Sequence, residues 1–548
     1  MSGSIWTFLF ARILYNVVMT QYFILLAALL IFCAVAVEKM TSKIKMPMLL
    51  GFIALGLFIG NGSMSMIRYE DYSLTETICS CALIIVMFYG GFGTSWKEAR
   101  PVAVSAGLLA SLGVLATALL TSAFCIAVLG FPPLTGLLIG ALICSTDAAS
   151  VFSILRSRHL ALKYHTDSLL EVESGSNDPM SYMLVLIILT MMKGGMTFEN
   201  IVTMLVAQIA LGLLAGWLVY YAAKVFLEKV ELEIAGFLTI FVFACALASY
   251  ASAALIGGNG YLAVYMTGIL MGNAKLREKK ELVHFFDGLS ALMQIVIFFI
   301  LGLLAKPDLL LAMLPMAFVI FLALSLFARP AAVFAILGLK KAPWQQSALV
   351  SFAGLRGAAS IVFAIMAMAD QAEFGLDVFH LVFGIVLFSI TIQGTLLPFA
   401  ARKLDMVNGE GNVLKTFNDY SEDGDLCFCQ VVLDQRTPLH GHTIESLALP
   451  SGLSVALVLR NRKPLVPHGG LILHALDTLI VTGTKFESAG KLLDQERIEA
   501  QDERIGRALM DLQGDVHRIV CIKREEGYVV PDGTTILQEG DMLIFLKS

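Results

Sequence analysis

The chain has 548 residues, 57% of them hydrophobic and only 15% charged, with a mean hydropathy of +0.80. Soluble globular chains carry about 25% charged residues, so a soluble enzyme of this size is excluded, and intrinsic disorder with it. Residues 1–407 hold 24 Lys and Arg against 22 Asp and Glu, whereas residues 408–548 hold 14 against 21. The first stretch reads as a membrane domain and the second as a soluble one, and neither has the basic surplus expected of nucleic-acid binding.

From the N-terminus, thirteen runs read as membrane-spanning helices: 21–38, 46–60, 74–94, 102–130, 133–156, 167–192, 200–227, 234–252, 258–273, 282–304, 308–338, 344–369 and 378–401. A span needs about 20 mostly apolar residues. With this count one set of loops carries 18 cations, from Lys39 to Lys403, and the other carries Arg12, Arg68, Lys193 and Lys306. The positive-inside rule then puts the N-terminus outside and residues 408–548 in the cytoplasm. Spans 1–6 and 8–13 form two six-helix copies, inverted in the membrane because a seventh span joins them.

Ionised groups inside a span cost about 2.5–3.5 kcal/mol each on insertion scales. The spans contain Asp147, Glu171, Glu173, Asp178, Arg329 and Arg356. Asp147, Asp178 and Arg356 fall at similar depth on three different helices, where secondary transporters place their sites. Glu171, Ser174 and Asp178 share one helix face, and Glu173 and Asn177 an adjoining one. Pro179 has no N–H and so frees the Gly175 carbonyl beside Asp178. Two spans, the fifth and the twelfth, read as broken: one at Cys144-Ser145-Thr146-Asp147, the other at Gly354-Leu355-Arg356-Gly357. Asp147-Ala148-Ala149-Ser150 is echoed by Gly357-Ala358-Ala359-Ser360. Glu173 with Arg356 reads as a buried ion pair. Arg329, before Pro330, reads as a snorkelling cation near the cytoplasmic end.

These residues resemble the cation/proton antiporter superfamily, in the branch of the NhaP-type and sodium–proton exchangers. The string Glu171-Val172-Glu173-Ser174-Gly175-Ser176-Asn177-Asp178-Pro179, with the soluble tail, looks most like the bacterial potassium/proton antiporters of the cell-volume-regulation type. The resemblance implies that Asp178 binds cation and proton alternately and that Thr146, Asp147, Ser174 and Asn177 complete the site. Ser145 and Glu171 would be accessory, and Glu173 and Arg356 would form a structural pair. It further implies electroneutral exchange, an elevator motion of spans 4–6 and 11–13 against spans 1–3 and 8–10, a homodimer in the bacterial inner membrane, and no enzymatic activity. Potassium and sodium both stay open as the cation, with potassium favoured by the resemblance; a tail-gated channel is the more distant alternative. Where relatives carry an acidic residue in the third span, this chain has Phe88-Tyr89-Gly90-Gly91, so a carboxylate at the cytoplasmic funnel is expected to be missing.

After a linker at 408–425, residues 426–493 resemble the C-terminal lobe of regulator-of-potassium-conductance (TrkA-C) domains, with a helix expected at 485–493. Residues 494–548 read as a charged helical linker, 494–513, followed by a second half copy: Ile519–Arg524 echoes Val455–Arg460, and Gly540–Phe545 echoes Asp477–Val481. The resemblance leaves room for a small nucleotide-like effector in this α+β tail. No GxGxxG is present, and Gly490-Lys491-Leu492 lacks the final Ser/Thr of a phosphate-binding loop. No cofactor is expected beyond the transported ions.

Overall fold

A computed structural model describes residues 48–60, 69–158, 160–194, 198–230, 235–274, 276, 279–370, 374–408 and most of 426–546, with scattered positions between 28 and 39. Most of the expected first span, most of the 408–425 linker and most of the expected helix at 485–493 lie outside the described residues. The chain divides into two units, Met1–Tyr420 and Ser421–Ser548.

The first unit is helical. Its helices are α1 (Met48–Ile59), α2 (Tyr72–Gly93), α3 (Ala103–Ala127), α4 (Pro133–Leu142), α5 (Ala148–Ser157), α6 (Thr166–Met192), α7 (Phe198–Lys229), α8 (Ala235–Leu255), α9 (Gly260–Gly272), α10 (Lys279–Leu304), α11 (Pro307–Leu339), α12 (Trp344–Phe352), α13 (Ala358–Ala369) and α14 (Val378–Lys403). Among the described residues, seven helices are long and apolar enough to cross a membrane, and four more are apolar but shorter. α6 is 27 residues long yet is not one of the seven, because its first half carries the carboxylates. Large apolar side chains stay exposed on α7, Val206, Leu214 and Trp217 among them, as expected of a lipid-facing helix rather than a soluble surface.

In hydrocarbon, helices bind one another by close packing rather than by water exclusion, so small residues mark the seams. A Cβ at Gly56 of α1, or at Gly60 just beyond it, would strike the backbone of α10 between Phe299 and Leu303. One at Gly268 or Gly272 of α9 would strike the backbone of α2 between Phe88 and Phe92. These pairs cross backbone to backbone. α3, α11 and α14 each contain a π-bulge, at Leu109–Gly113, Leu324–Ala328 and Ser389–Gln393. Such bulges re-aim the residues that follow them. β1 (Ala161–Leu162) pairs antiparallel with β2 (Val407–Asn408), tying the α5–α6 connection to the end of α14.

One expected contact is replaced by another. Glu173 pairs with Arg329, not Arg356: an Arg329 guanidinium nitrogen lies 2.5 Å from Glu173 Oε1, with both side chains fully buried. Arg329 follows the π-bulge of α11 and points into the protein, so it does not snorkel. Arg356 is equally buried, but donates to a backbone carbonyl instead. Both arginines are buried, and the partner each faces is what differs.

In the second unit, β3 (Leu426–Val432), β4 (Ser454–Arg460), β5 (Lys463–Leu465) and β6 (Thr478–Thr484) form an antiparallel sheet of order β3-β6-β4-β5. β7 (Leu493–Arg497), β8 (Ile519–Arg524), β9 (Gly527–Val529) and β10 (Met542–Leu546) form a second of order β7-β10-β8-β9. The orders correspond strand for strand. The expected helical linker, 494–513, is therefore corrected: its described residues hold no α-helix, and Leu509–Asp511 is a short 3₁₀ turn. Leu493–Arg497 is an edge strand, a position where charged residues are tolerated because one side is free, and it makes the second copy a complete sheet.

Both sheets repeat one anchor. Arg460 donates to both carboxylate oxygens of Asp477, at 2.9 and 2.7 Å, and to Ile472 O at 2.7 Å. Arg524 does the same to Asp541, at 2.8 and 3.0 Å, and to Ile536 O at 2.6 Å. The Arg460 hydrogen bond holds the Asp477 carboxyl below the usual carboxylate range.

Two predictions follow from these pairs. Arg329→Met strands a buried carboxylate and lowers stability by about 3–5 kcal/mol, while a double-mutant cycle in detergent gives strong coupling of Glu173 to Arg329 and little to Arg356. Arg460→Met loosens the first sheet by about 1–3 kcal/mol, read as faster amide exchange in β4 and β6 but not in β8 and β10. Because Asp477 is depressed in the folded state, its contribution is present above about pH 4 and is lost as pH falls through the folded value, so the wild-type and mutant exchange rates converge in acid.

Candidate ion-binding site

The helical chain breaks twice. Between α4 and α5, residues Ile143–Asp147 leave the helix; between α12 and α13, residues Ala353–Gly357 do. Each break frees backbone donors and acceptors that lipid cannot satisfy. They meet partly in each other: Asp147 N–H donates to Leu355 O at 2.8 Å, and the Arg356 guanidinium donates to Ser145 O at 2.7 Å. The π-bulge of α14 serves the rest. Ser389 Oγ accepts from Arg356 N–H at 3.0 Å and donates to Gln393 Oε1 at 2.7 Å, and Gln393 donates in turn to Phe352 O at 3.3 Å. Gly357 is required here, because a Cβ would overlap the Asp147 carboxylate.

The charges match the helix ends. Asp147 caps the first turn of α5, accepting from Ser150 N–H at 3.2 Å and from the Ser150 hydroxyl at 2.5 Å. A carboxylate is favoured at a helix N-terminus. Arg356 puts its positive charge on the carbonyl side of the opposite break.

α6 lies against the first break and holds Thr146 by three bonds. Asn177 donates to Thr146 Oγ1 at 2.7 Å and accepts from Thr146 N–H at 3.3 Å, while Ser174 Oγ donates to Thr146 O at 2.6 Å. Ser181 Oγ reaches the end of α4, donating to Ala141 O at 2.6 Å. Asn259 of α9 donates to Pro179 O at 2.8 Å, securing the chain just past the proline.

Asp178 is left over from this network. Its Oδ1 is buried and has no hydrogen-bond partner. It lines a cavity of about 400 Å³ together with Asp147, Glu171, Ser174, Tyr89, Asp287 and Gln294. A smaller pocket of about 40 Å³ shares Asp147, Asp178 and Gln294 and adds Ser145, Thr146 and Gly357. That space suits a water or a monovalent cation among oxygen donors.

Thr146, Asp147, Ser174, Asn177 and Asp178 therefore come together around one point. Ser145 lines the smaller pocket, and its hydroxyl lies 3.4 Å from that of Ser360. Glu171 lines the larger cavity and accepts from Thr94 Oγ1 at 3.2 Å. Glu173 faces away, toward Arg329. Tyr89, which stands where relatives carry an acidic residue, has a carboxylate beside it: its hydroxyl donates to Asp287 Oδ1 at 2.8 Å, and both line the cavity. Asp287 and Gln294 are the residues sequence reasoning missed. Asp287 lies only six positions into the expected span 282–304, where a charge passes for an ordinary helix-end residue; the signal was its helical register with Ser290 and Gln294.

Comparison with known proteins covers both units. The transmembrane sodium/hydrogen exchanger family matches residues 25–403, and the TrkA-C domain family matches residues 429–487. A K(+)/H(+) antiporter NhaP2 of Shewanella oneidensis is 31% identical over 86% of this chain and 83% of its own length. A K(+)/H(+) antiporter NhaP of Alkalimonas amylolytica is 34% identical over 70% of this chain and 67% of its own. The sodium proton antiporter MjNhaP1 of Methanocaldococcus jannaschii superposes with a TM-score of 0.60 at 22% identity, covering 69% of this chain and 97% of that one, a likeness of fold. The chain belongs to the transmembrane sodium/hydrogen exchanger family and carries a TrkA-C domain behind its membrane unit.

Proposed function

We propose that the protein is a secondary antiporter exchanging a monovalent cation, K⁺ in preference to Na⁺, for H⁺. The observation that carries this reading is Asp178: a carboxylate at the end of a cavity, with one oxygen unpartnered and hydroxyl, carbonyl and amide oxygens around it. A bare carboxylate is costly to carry through a dry barrier. With a proton or a cation bound it is compensated. If only compensated forms cross, the two fluxes are coupled without any energy source other than the gradients. Asn177 is neutral and engaged with Thr146, so one carboxylate carries either one cation or one proton, and the exchange is electroneutral.

The preference for K⁺ is supported by the two relatives described as K(+)/H(+) antiporters. Na⁺ is the runner-up, supported by a Na(+)/H(+) antiporter NhaS2 of Synechocystis that is 25% identical over 69% of this chain. We infer thirteen spans in two inverted copies, with the N-terminus outside and the tail in the cytoplasm of a bacterial inner membrane, supported by the distribution of lysine and arginine. The moving body in this reading is α3–α6 with α11–α14, which contains both broken helices. It travels against α1–α2 and α8–α10, whose backbone-to-backbone seams favour a rigid frame. We also infer a homodimer, with a tail that answers to a small ligand; the TrkA-C match supports the tail role.

In proteoliposomes holding a pH dye, added K⁺ produces a saturable pH change. Asp178→Asn reduces it at least a hundredfold while the protein stays folded. Clamping the membrane potential at different values leaves the wild-type rate unchanged, since no net charge moves. Cation flux without proton movement overturns the coupling and favours a channel; a rate that follows the clamp overturns electroneutrality.

A further inference from the structure

Two polar stripes face the cavity from different helices. On α6, Glu171, Ser174 and Asp178 occupy positions i, i+3 and i+7; on α10, Asp287, Ser290 and Gln294 do the same. All six line the one cavity. Each stripe has a carboxylate, then a serine, then a residue that also lines the smaller pocket, Asp178 on one side and Gln294 on the other. The α6 stripe belongs to the site already described. The α10 stripe has no part in satisfying the broken helices.

Its first member is held in place. Asp287 is exposed, whereas the ring of Tyr89 on α2 is only 8% exposed. The Tyr89 hydroxyl donates to Asp287 Oδ1 at 2.8 Å. Among the described residues no lysine or arginine pairs with Asp287. A carboxylate kept for an ion pair would face a fixed cation; this one faces a cavity, steadied by a neutral donor that leaves its charge in place. α2 and α10 both belong to the group of helices proposed as the rigid frame, so the carboxylate need not travel with Asp178.

We propose that Asp287 is a cation-capture residue at the mouth of the cavity, positioned by Tyr89, from which a monovalent cation passes along Ser290 and Gln294 to Asp178. This rests on the antiporter reading above. A fixed negative charge in a low-dielectric cleft raises the local cation concentration and the rate of capture. It contributes to finding the site, not to the transfer that follows, so its signature is in KM.

The test is K⁺-dependent proton flux in proteoliposomes, with the full-length protein, across K⁺ concentrations. Asp287→Asn raises the apparent KM for K⁺ on the order of three- to tenfold, with kcat changed no more than about twofold. The effect shrinks when an impermeant salt raises ionic strength, because exposed charges are screened. Asp287→Glu restores most of the affinity. Tyr89→Phe, which keeps the carboxylate but frees it, raises KM by a smaller factor, and it makes the same test if Asp287→Asn does not fold. An unchanged KM in both variants, or a fall in kcat at constant KM, overturns the proposal. Asp178→Asn run alongside separates the two claims: persistent flux in that variant overturns the antiporter reading itself, whereas its loss together with wild-type kinetics in Asp287→Asn overturns only the capture role.

Discussion

The whole membrane unit is arranged around one constraint: a backbone that leaves the helix inside hydrocarbon must find its hydrogen bonds within the protein. Two breaks, at Ile143–Asp147 and Ala353–Gly357, satisfy one another through Asp147 N–H to Leu355 O and Arg356 to Ser145 O. What they leave unsatisfied is met by Asn177 and Ser174 on one side and by Ser389 and Gln393 on the other. The irregular backbone is tolerable because two other helices, α6 and α14, lend it side chains. Ser174 also lines the cavity beside Asp178, together with Asp147 of the first break, so holding the crossing together and building the pocket overlap.

Three carboxylates near this crossing occupy three environments. Glu173 is fully buried against Arg329 and is spent on structure. Asp147 is committed to the first turn of α5 through Ser150, while its side chain still reaches both cavities. Glu173 and Asp178 each keep one buried oxygen with no partner, but of the two only Asp178 lines the cavity. An exchange reaction needs such a group, because a carboxylate already saturated by the protein has nothing to offer a cation or a proton. The division follows from helix register. Glu173 and Asp178, five residues apart on α6, face different neighbours.

Much of this was legible in the residues themselves. Hydrophobic runs located the helices to within a few positions: 282–304 was read and Lys279–Leu304 observed, 308–338 was read and Pro307–Leu339 observed. Both breaks showed as polar or glycine-rich runs inside apolar ones. What a linear pattern cannot carry is azimuth. Arg329 and Arg356 are both cations within apolar runs, and nothing in composition shows that Arg329, just past the π-bulge at Leu324–Ala328, is the one that meets Glu173. Tyr89 read as the loss of a carboxylate because the one it touches, Asp287, comes 198 residues later. In the tail, Leu-Asp-Gln-Glu-Arg at 493–497 has a helix former's composition, but pairing with β10 overrides that local preference.

The central claim is that one carboxylate is shared in turn by a cation and a proton. It is tested most directly by measuring proton release when K⁺ binds the purified protein, by titration calorimetry in buffers of differing ionisation enthalpy. The account predicts about one proton released per cation bound near neutral pH, and neither binding nor release in Asp178→Asn. Cation binding with no proton release, or release that persists in Asp178→Asn, would contradict it.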